Sequence, residues 1–319
     1  MKVVGRFQAL LTSCVLFAGS ILTSAGDRLP NAKLTIMVKN EDGRSLKDIA
    51  VCTWFDDGCK PTGQTDSNGV FVAEGACSTK DIPIRIAENG YYESLSGYSF
   101  SNYLSVENGK WQPWNPVVTV VVRRVVNPIP MYMKRLSTDV PAVGKEVGFD
   151  LVVGDWVAPY GTGKTADVFF QVTRRITNSR DFELVVKLSY PQVGAGIQQV
   201  QTITDSSFMI PREAPRDGYQ KEWSKKLGCE KGTFFNTEED HSAAFAYRVR
   251  VVSEPSGEIS RALYGVIKGN LRASGYLADK IHVEFTYYLN PTPNDRNMEF
   301  DPKKNLFKNL KPLEGVTAP

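Results

Sequence analysis

The chain has 319 residues, 38 basic against 35 acidic side chains, two histidines and five cysteines. A balance this close to neutral supplies no clustered basic face for nucleic acid. The scarcity of histidine and the lack of any Cys-x-x-Cys spacing argue against a structural zinc site, so neither metal nor cofactor is expected.

In chain order, Lys2 and Arg6 lead into the mostly apolar run Phe7 to Leu22 and the small residues Thr23-Ser24-Ala25. That is the layout of a secretory signal peptide, residues 1–25. The run is broken by Gln8, Thr12, Ser13 and Ser20 and falls short of the roughly 20 apolar residues that span a bilayer. A competing reading takes Leu11-Thr12-Ser13-Cys14 as a minimal lipobox with Cys14 acylated, but Val15 to Leu22 stays apolar where a lipoprotein turns polar. The expectation is a secreted or periplasmic protein, with no transmembrane segment in the mature chain.

Residues 26–126 read as a first β-sandwich. Leu34/Ile36/Val38, Ile49/Val51/Phe55 and Ile82/Ile84/Ile86 alternate with period two, and Thr65-Asp66-Ser67-Asn68-Gly69 marks a tight turn. Val117 to Val122 is apolar on both faces, which predicts a strand covered on both sides. With a strand at 49–55, a loop at 56–60 and the turn at 66–69, Cys59 and Cys77 fall at one end of the sandwich. A bridge between them is therefore expected, worth about 2–4 kcal/mol. Tyr91, Tyr92, Tyr98, Phe100, Tyr103, Trp111 and Trp114 sit among Gly, Ser and Asn. Such rings either form a stacking platform for a sugar or a partner, or plug the open end of the sandwich.

Pro128 and Pro130 suggest a linker over 127–139. Residues 140–290 then carry further alternating stretches, among them Phe149/Leu151/Val153, Phe182/Leu184/Val186/Leu188 and Ile281/Val283/Phe285/Tyr287, with a mildly helical pattern only at Asp217 to Leu227. Residues 291–319 read as an extended tail whose Phe300, Leu306, Phe307, Leu310 and Leu313 dock it on the surface. The predicted fold is all-β, two antiparallel β-sandwich domains with that tail.

The succession of the Leu34/Ile36/Val38 strand, Asp42-Gly43, Leu46, Ile49 and Val51, and the Asp66 to Phe71 turn resembles the transthyretin-like or carboxypeptidase-regulatory-like domain, an Ig-like β-sandwich. The resemblance implies a module that scaffolds, tethers or binds. Pro128 to Tyr132, Gly154 to Gly161 and Tyr287 to Asn297 resemble segments of uncharacterised secreted bacterial proteins, which implies one joined two-domain unit and no activity.

Three motifs bear on chemistry. Gly161-Thr162-Gly163-Lys164-Thr165 looks like the end of a phosphate-binding loop, but the required earlier glycine is Ala158 and no helix pattern follows. Asp66-Ser67-Asn68-Gly69 starts like a calcium loop, yet the position that needs glutamate is Cys77. His241 and His282 each permit a Ser/His/Asp arrangement, with no Gly-x-Ser-x-Gly to nominate the serine, and Glu238, Glu239 and Asp240 are the acidic cluster to inspect. The expected function is a non-catalytic binding or scaffold protein whose partner is a polysaccharide or an envelope protein. Tyr98, Tyr103, Trp111, Trp114, Trp156, Tyr160 and Lys164 are the candidate contacts. The alternatives are a carboxylate-dependent hydrolase acting on polysaccharide and a structural component of an envelope or surface assembly.

Overall fold

A computed structural model describes residues 29–56, 58–102, 105–237, 242–275, 278–316 and 319, without the side chains of 58–62. The signal-peptide and lipobox reading, Tyr103, the 238–241 cluster and the Cys59 side chain lie outside the described residues. What is described is all-β, with no helix. It divides into two units: the residues up to Val126 together with Ile203–Phe208, and Asn127–Thr202 together with Met209–Pro319.

The first unit holds β1 (Asn31–Asn40), β2 (Ala50–Phe55), β3 (Gly58–Gln64), β4 (Val70–Ala76), β5 (Asp81–Ile86), β6 (Ser94–Ser99), β7 (Val106–Glu107), β8 (Lys110–Trp111) and β9 (Val117–Val122). β3-β2-β5-β6 form one sheet. In the other, β1 pairs with β4 on one side and with β8 and β9 on the other, β9 running parallel to it. The alternation explains the layers: Leu34, Ile36 and Val38 are 0% exposed and meet Val51, Ile82, Ile84, Val118 and Val120 in one core. Burying each such side chain contributes about 1.5–3 kcal/mol.

The turn into β4 is set by two residues. Asp66 Oδ1 accepts from the N–H groups of Asn68 and Val70, and Gly69 has φ +72° with Val38 O 2.7 Å from where a Cβ would stand, so only glycine fits.

Three expectations fail in this unit. The Val117 to Val122 strand is not covered on both sides: Val118, Val120 and Val122 face the core, while Val117 is 62% exposed. Residues 58–60 are not part of an open loop, because they lie in β3, where Gly58 stands opposite Phe55 and Cys59 opposite Trp54. Cys77 is a buried free thiol whose Sγ donates to the Thr79 carbonyl at 3.3 Å, so the Cys59–Cys77 bridge is absent.

The second unit holds β10 (Ile129–Asp139), β11 (Glu146–Asp150), β12 (Asp155–Trp156), β13 (Val168–Asn178), β14 (Asp181–Ser189), β15 (Gly196–Val200), β16 (Glu222–Glu230), β17 (Thr233–Asn236), β18 (Ala244–Ser253), β19 (Ile259–Ser274), β20 (His282–Leu289) and β21 (Phe300–Asn305). They make two six-stranded sheets, β15-β18-β19-β20-β10-β21 and β12-β11-β13-β14-β16-β17. Phe149, Phe170, Leu184, Val186, Phe285 and Tyr287 are among the residues of the core between them.

Residues 127–139 are not a free linker. From Ile129 onward they form β10, because Met131, Met133 and Leu136 are buried and the strand pairs with β20 along most of its length. The helical pattern at Asp217 to Leu227 also gives way: β16 runs there between β14 and β17. Its inward positions are Trp223, Lys225, Leu227 and Cys229, and the lysine hides the period of two.

Candidate functional site

The predicted contact residues that are described belong to both units, and two of their three tryptophans are buried. Trp111, 2% exposed, stacks on Phe100 at 5.1 Å and donates its indole N–H to Cys77 O, so it plugs the first core. Tyr98 packs edge-on against Phe100 and is partly buried. Trp114 is half-buried, with Lys110 Nζ 4.8 Å and Lys33 Nζ 5.7 Å from its ring. In the second unit Trp156 is 5% exposed and edge-packed on Phe149 and Phe170, with no partner for its indole N–H among the described residues; Tyr160 and Lys164 are exposed. Neither buried indole offers a face for stacking.

The loop from Asp155 to Thr165 is held by carboxylates. Asp150 accepts from the N–H groups of Val152, Val153, Lys164 and Thr165, each at 3.0 Å, and Asp155 accepts from Trp156 N–H and from Thr162 N–H and O–H, each at 2.8 Å. The N–H groups that would cradle a phosphate are spent on these side chains. Gly163 is there for close approach, since a Cβ would stand 2.8 Å from Asp155 O.

Beneath the loop, Arg250 forks onto Asp167 at 2.8 and 3.0 Å and reaches Asp150 at 2.9 Å, both carboxylates being buried. Burial raises the Asp150 carboxyl, but its main-chain donors together outweigh that and hold it below the ordinary value. At Asp167 burial wins, and the carboxyl is pushed up despite Arg250. This is a structural brace, with every carboxylate oxygen occupied.

A second cluster lies on the β10–β20 face. Ser137 Oγ is 2.9 Å from His282 Nε2, and His282 Nδ1 is 3.1 Å from Asp139 Oδ1, the order of a nucleophile, base and orienting acid. The His282 hydrogen bond is the largest influence on Asp139 and holds its carboxyl below the ordinary value. Ser137 lies within a strand, where its side chain stands off the sheet while main-chain N–H groups lie in the sheet plane. No pair of donors converges on an oxyanion there. His282 and Glu284 also line an open cleft of about 300 Å³, with Lys225, Asn236, Asn270, Arg272 and Ser274.

Sequence reasoning missed the outer face of the first unit. Across β4, β1 and β9 the register sets Val72, Thr35 and Val117 in one row and Val70, Met37 and Thr119 in the next. Val72 is 46% and Val117 62% exposed. β9 pairs with β1 alone among the described strands; on its other edge Val121 N–H donates to the Asp205 carboxylate, Val121 O accepts from Ser94 Oγ, and no described strand pairs there with Val117 or Thr119. The signal was present in Val117, Thr119 and Val121, the outward half of a run whose inward half fills the core.

The molecule is thus an all-β protein of sandwich-like sheets. No family model matches the chain, and no curated protein does. Among solved structures it is similar to the major pilin subunit BcpA of Bacillus cereus, at 10% identity over 80% of this chain and 95% of that one, with a TM-score of 0.22. It is similar also to the shaft pilin SpaA of Lactobacillus rhamnosus GG, at 10% identity over 53% and 90% with a TM-score of 0.22. A DUF3823 family protein of Bacteroides ovatus matches at 11% identity over 81% and 98%, with a TM-score of 0.21. Likeness this slight carries no argument about activity. No helix among the described residues is long and apolar enough to cross a membrane.

Proposed function

We propose that the chain is a non-catalytic structural protein of the cell envelope or surface, secreted by its first 25 residues, that holds a protein partner against the β4–β1–β9 face. The observation that carries this reading is the row of Val72, Thr35 and Val117 on the outer face, beside the Val117 end of β9, whose outer edge no described strand pairs. An apolar face beside a strand edge that no described strand pairs suits a partner that brings both side chains and a strand. The aromatic residues first considered for sugar are largely spent on packing, which weighs against a polysaccharide platform. Trp114 between Lys33 and Lys110 keeps one narrower possibility, an acidic sugar on a single ring.

The test is capture from an envelope extract of the source cells with the immobilised mature chain and with Val72→Glu/Val117→Glu. The reading expects a specific protein retained by the parent and lost from the folded double variant. Equal capture by both, or binding only to polysaccharide with Trp114→Ala abolishing it, would overturn the reading.

A further inference from the structure

Ser137, Asp139, His282 and Glu284 share one face of the β10–β20 pair. The register sets Asp139 opposite His282 and Ser137 opposite Glu284, so Ser137 and Asp139, two residues apart on one strand, bracket the imidazole. Asp139 is held below the ordinary carboxyl value first by its His282 hydrogen bond, with Lys280 Nζ 3.6 Å away, and is ionised near neutral pH. An ionised carboxylate only accepts, so the neutral imidazole carries its proton on Nδ1 and presents a lone pair at Nε2. Nε2 lies 2.9 Å from Ser137 Oγ and accepts from the hydroxyl. Arg135 donates twice to Glu284, and His282 is the one partner of Ser137 Oγ among the described residues. Ser137 and Asp139 are exposed and the His282 side chain is 39% exposed, so a reagent reaches the hydroxyl from solvent.

A hydroxyl bonded to an oriented base is an activated nucleophile. We infer that Ser137 is an acyl-acceptor site that takes one acyl group from an activated donor, a thioester or an aryl ester, with His282 as general base and Asp139 as its positioning residue. Ser137 Oγ attacks the acyl carbon, its proton passes to His282 Nε2, and the carbonyl pair moves onto the acyl oxygen. The carbonyl re-forms as the bond to the leaving group breaks, and the thiolate or phenolate takes the proton back from Nε2. The products are a serine ester and a free thiol or phenol, and nothing is oxidised or reduced. Because no pair of main-chain donors converges on the oxyanion, only a donor with a good leaving group reacts. The serine ester, whose leaving group is a poor alkoxide, is hydrolysed more slowly than it forms. The site therefore ends as a modified serine and does not turn over, which is compatible with a structural role.

The experiment treats the purified mature chain with p-nitrophenyl acetate and follows intact mass and peptide maps, beside Ser137→Ala, His282→Gln, Asp139→Asn and Asp139→Glu, each checked by thermal melting. The expected result is one acetyl group on the Ser137 peptide, removed by hydroxylamine, absent from Ser137→Ala and formed about 100-fold more slowly in His282→Gln. Asp139→Asn should slow the reaction as well and Asp139→Glu restore part of it, which a merely structural aspartate would not do. Acetyl groups on lysines alone, or Ser137 acetylated no faster than in the urea-unfolded chain, would overturn the proposal. Equal rates in the parent and His282→Gln would overturn it too, while an equal rate in Asp139→Asn would remove Asp139 from the role given to it. The parent measured against its own unfolded chain decides the site, whether or not a variant folds.

Discussion

The two units bury different things. The polar side chains deep in the first are the hydroxyls of Thr53, Thr65, Ser94 and Ser206, plus Arg123, which donates to Glu41 and to Phe208 O. Those deep in the second include Asp150, Asp167, Lys225, Asn290 and Glu299. A hydroxyl can use whatever carbonyl is near, as Thr65 Oγ1 uses Leu46 O at 2.6 Å and Ser94 Oγ uses Val121 O at 3.2 Å, while Ser206 Oγ has no partner among the described residues. A buried charge needs a particular partner in a particular place, and removing that partner costs more than the pair was worth. Arg123 and its partners apart, the first unit is thus specified by volume and alternation, while the second depends on several such individual side chains.

The sharpest way to break this contrast is Arg250→Met. It strips Asp150 and Asp167 of their shared cation and is expected to cost about 3–5 kcal/mol, read as a lower urea midpoint. A loss below about 1 kcal/mol would mean that the carboxylates carry themselves. In the first unit the comparable blow is Ile36→Ala, about 2–5 kcal/mol by the same measurement, while Ile36→Val should cost only about 0.5–1.5.

Acid should act on the second unit through its carboxylates. Asp150 and Asp155 are both held below their ordinary value of 3.8, so the stability they add is present above that pH and is lost as pH falls through their folded values. Asp167 is raised and has the opposite sign, returning part of the loss as it takes up its proton. Urea midpoints at pH 7 and pH 3 are expected to fall in acid, and to fall further in Asp167→Asn, where the offset is gone. A midpoint that rose toward pH 3 would contradict the geometry at Asp150. The smallest effect belongs to the surface: Val117→Thr should leave stability within about 0.5 kcal/mol by thermal melting.

The contrast also explains what could be read in advance. Strands whose inward residues are all apolar, such as Leu34/Ile36/Val38 in β1 or Phe182/Leu184/Val186/Leu188 in β14, are written in the sequence as plain alternation. β16 was hidden because one of its inward residues is Lys225, and β10 because two prolines open it. The brace drew no attention, since Asp150, Asp167 and Arg250 are far apart in sequence and look like ordinary solvated charges until the sheets bring them together. Gly161 to Thr165 misled in the opposite direction. Its glycines and threonines suit a phosphate loop, and only the neighbouring aspartates show where its N–H groups point.

One consequence follows from Ile203–Phe208, the short segment that leaves the second unit's stretch of chain and joins the first. Its Asp205 carbonyl accepts from Leu95 N–H, its Asp205 carboxylate from Val121 N–H, and its Phe208 lies under the Arg123 guanidinium at 4.2 Å. A nascent or translocating polypeptide that has emerged only to Val126 has every strand of the first unit but not this seal. The first unit therefore waits on later synthesis to be finished, and a fragment cut at Val126 should be less resistant to protease than the same region in the whole chain.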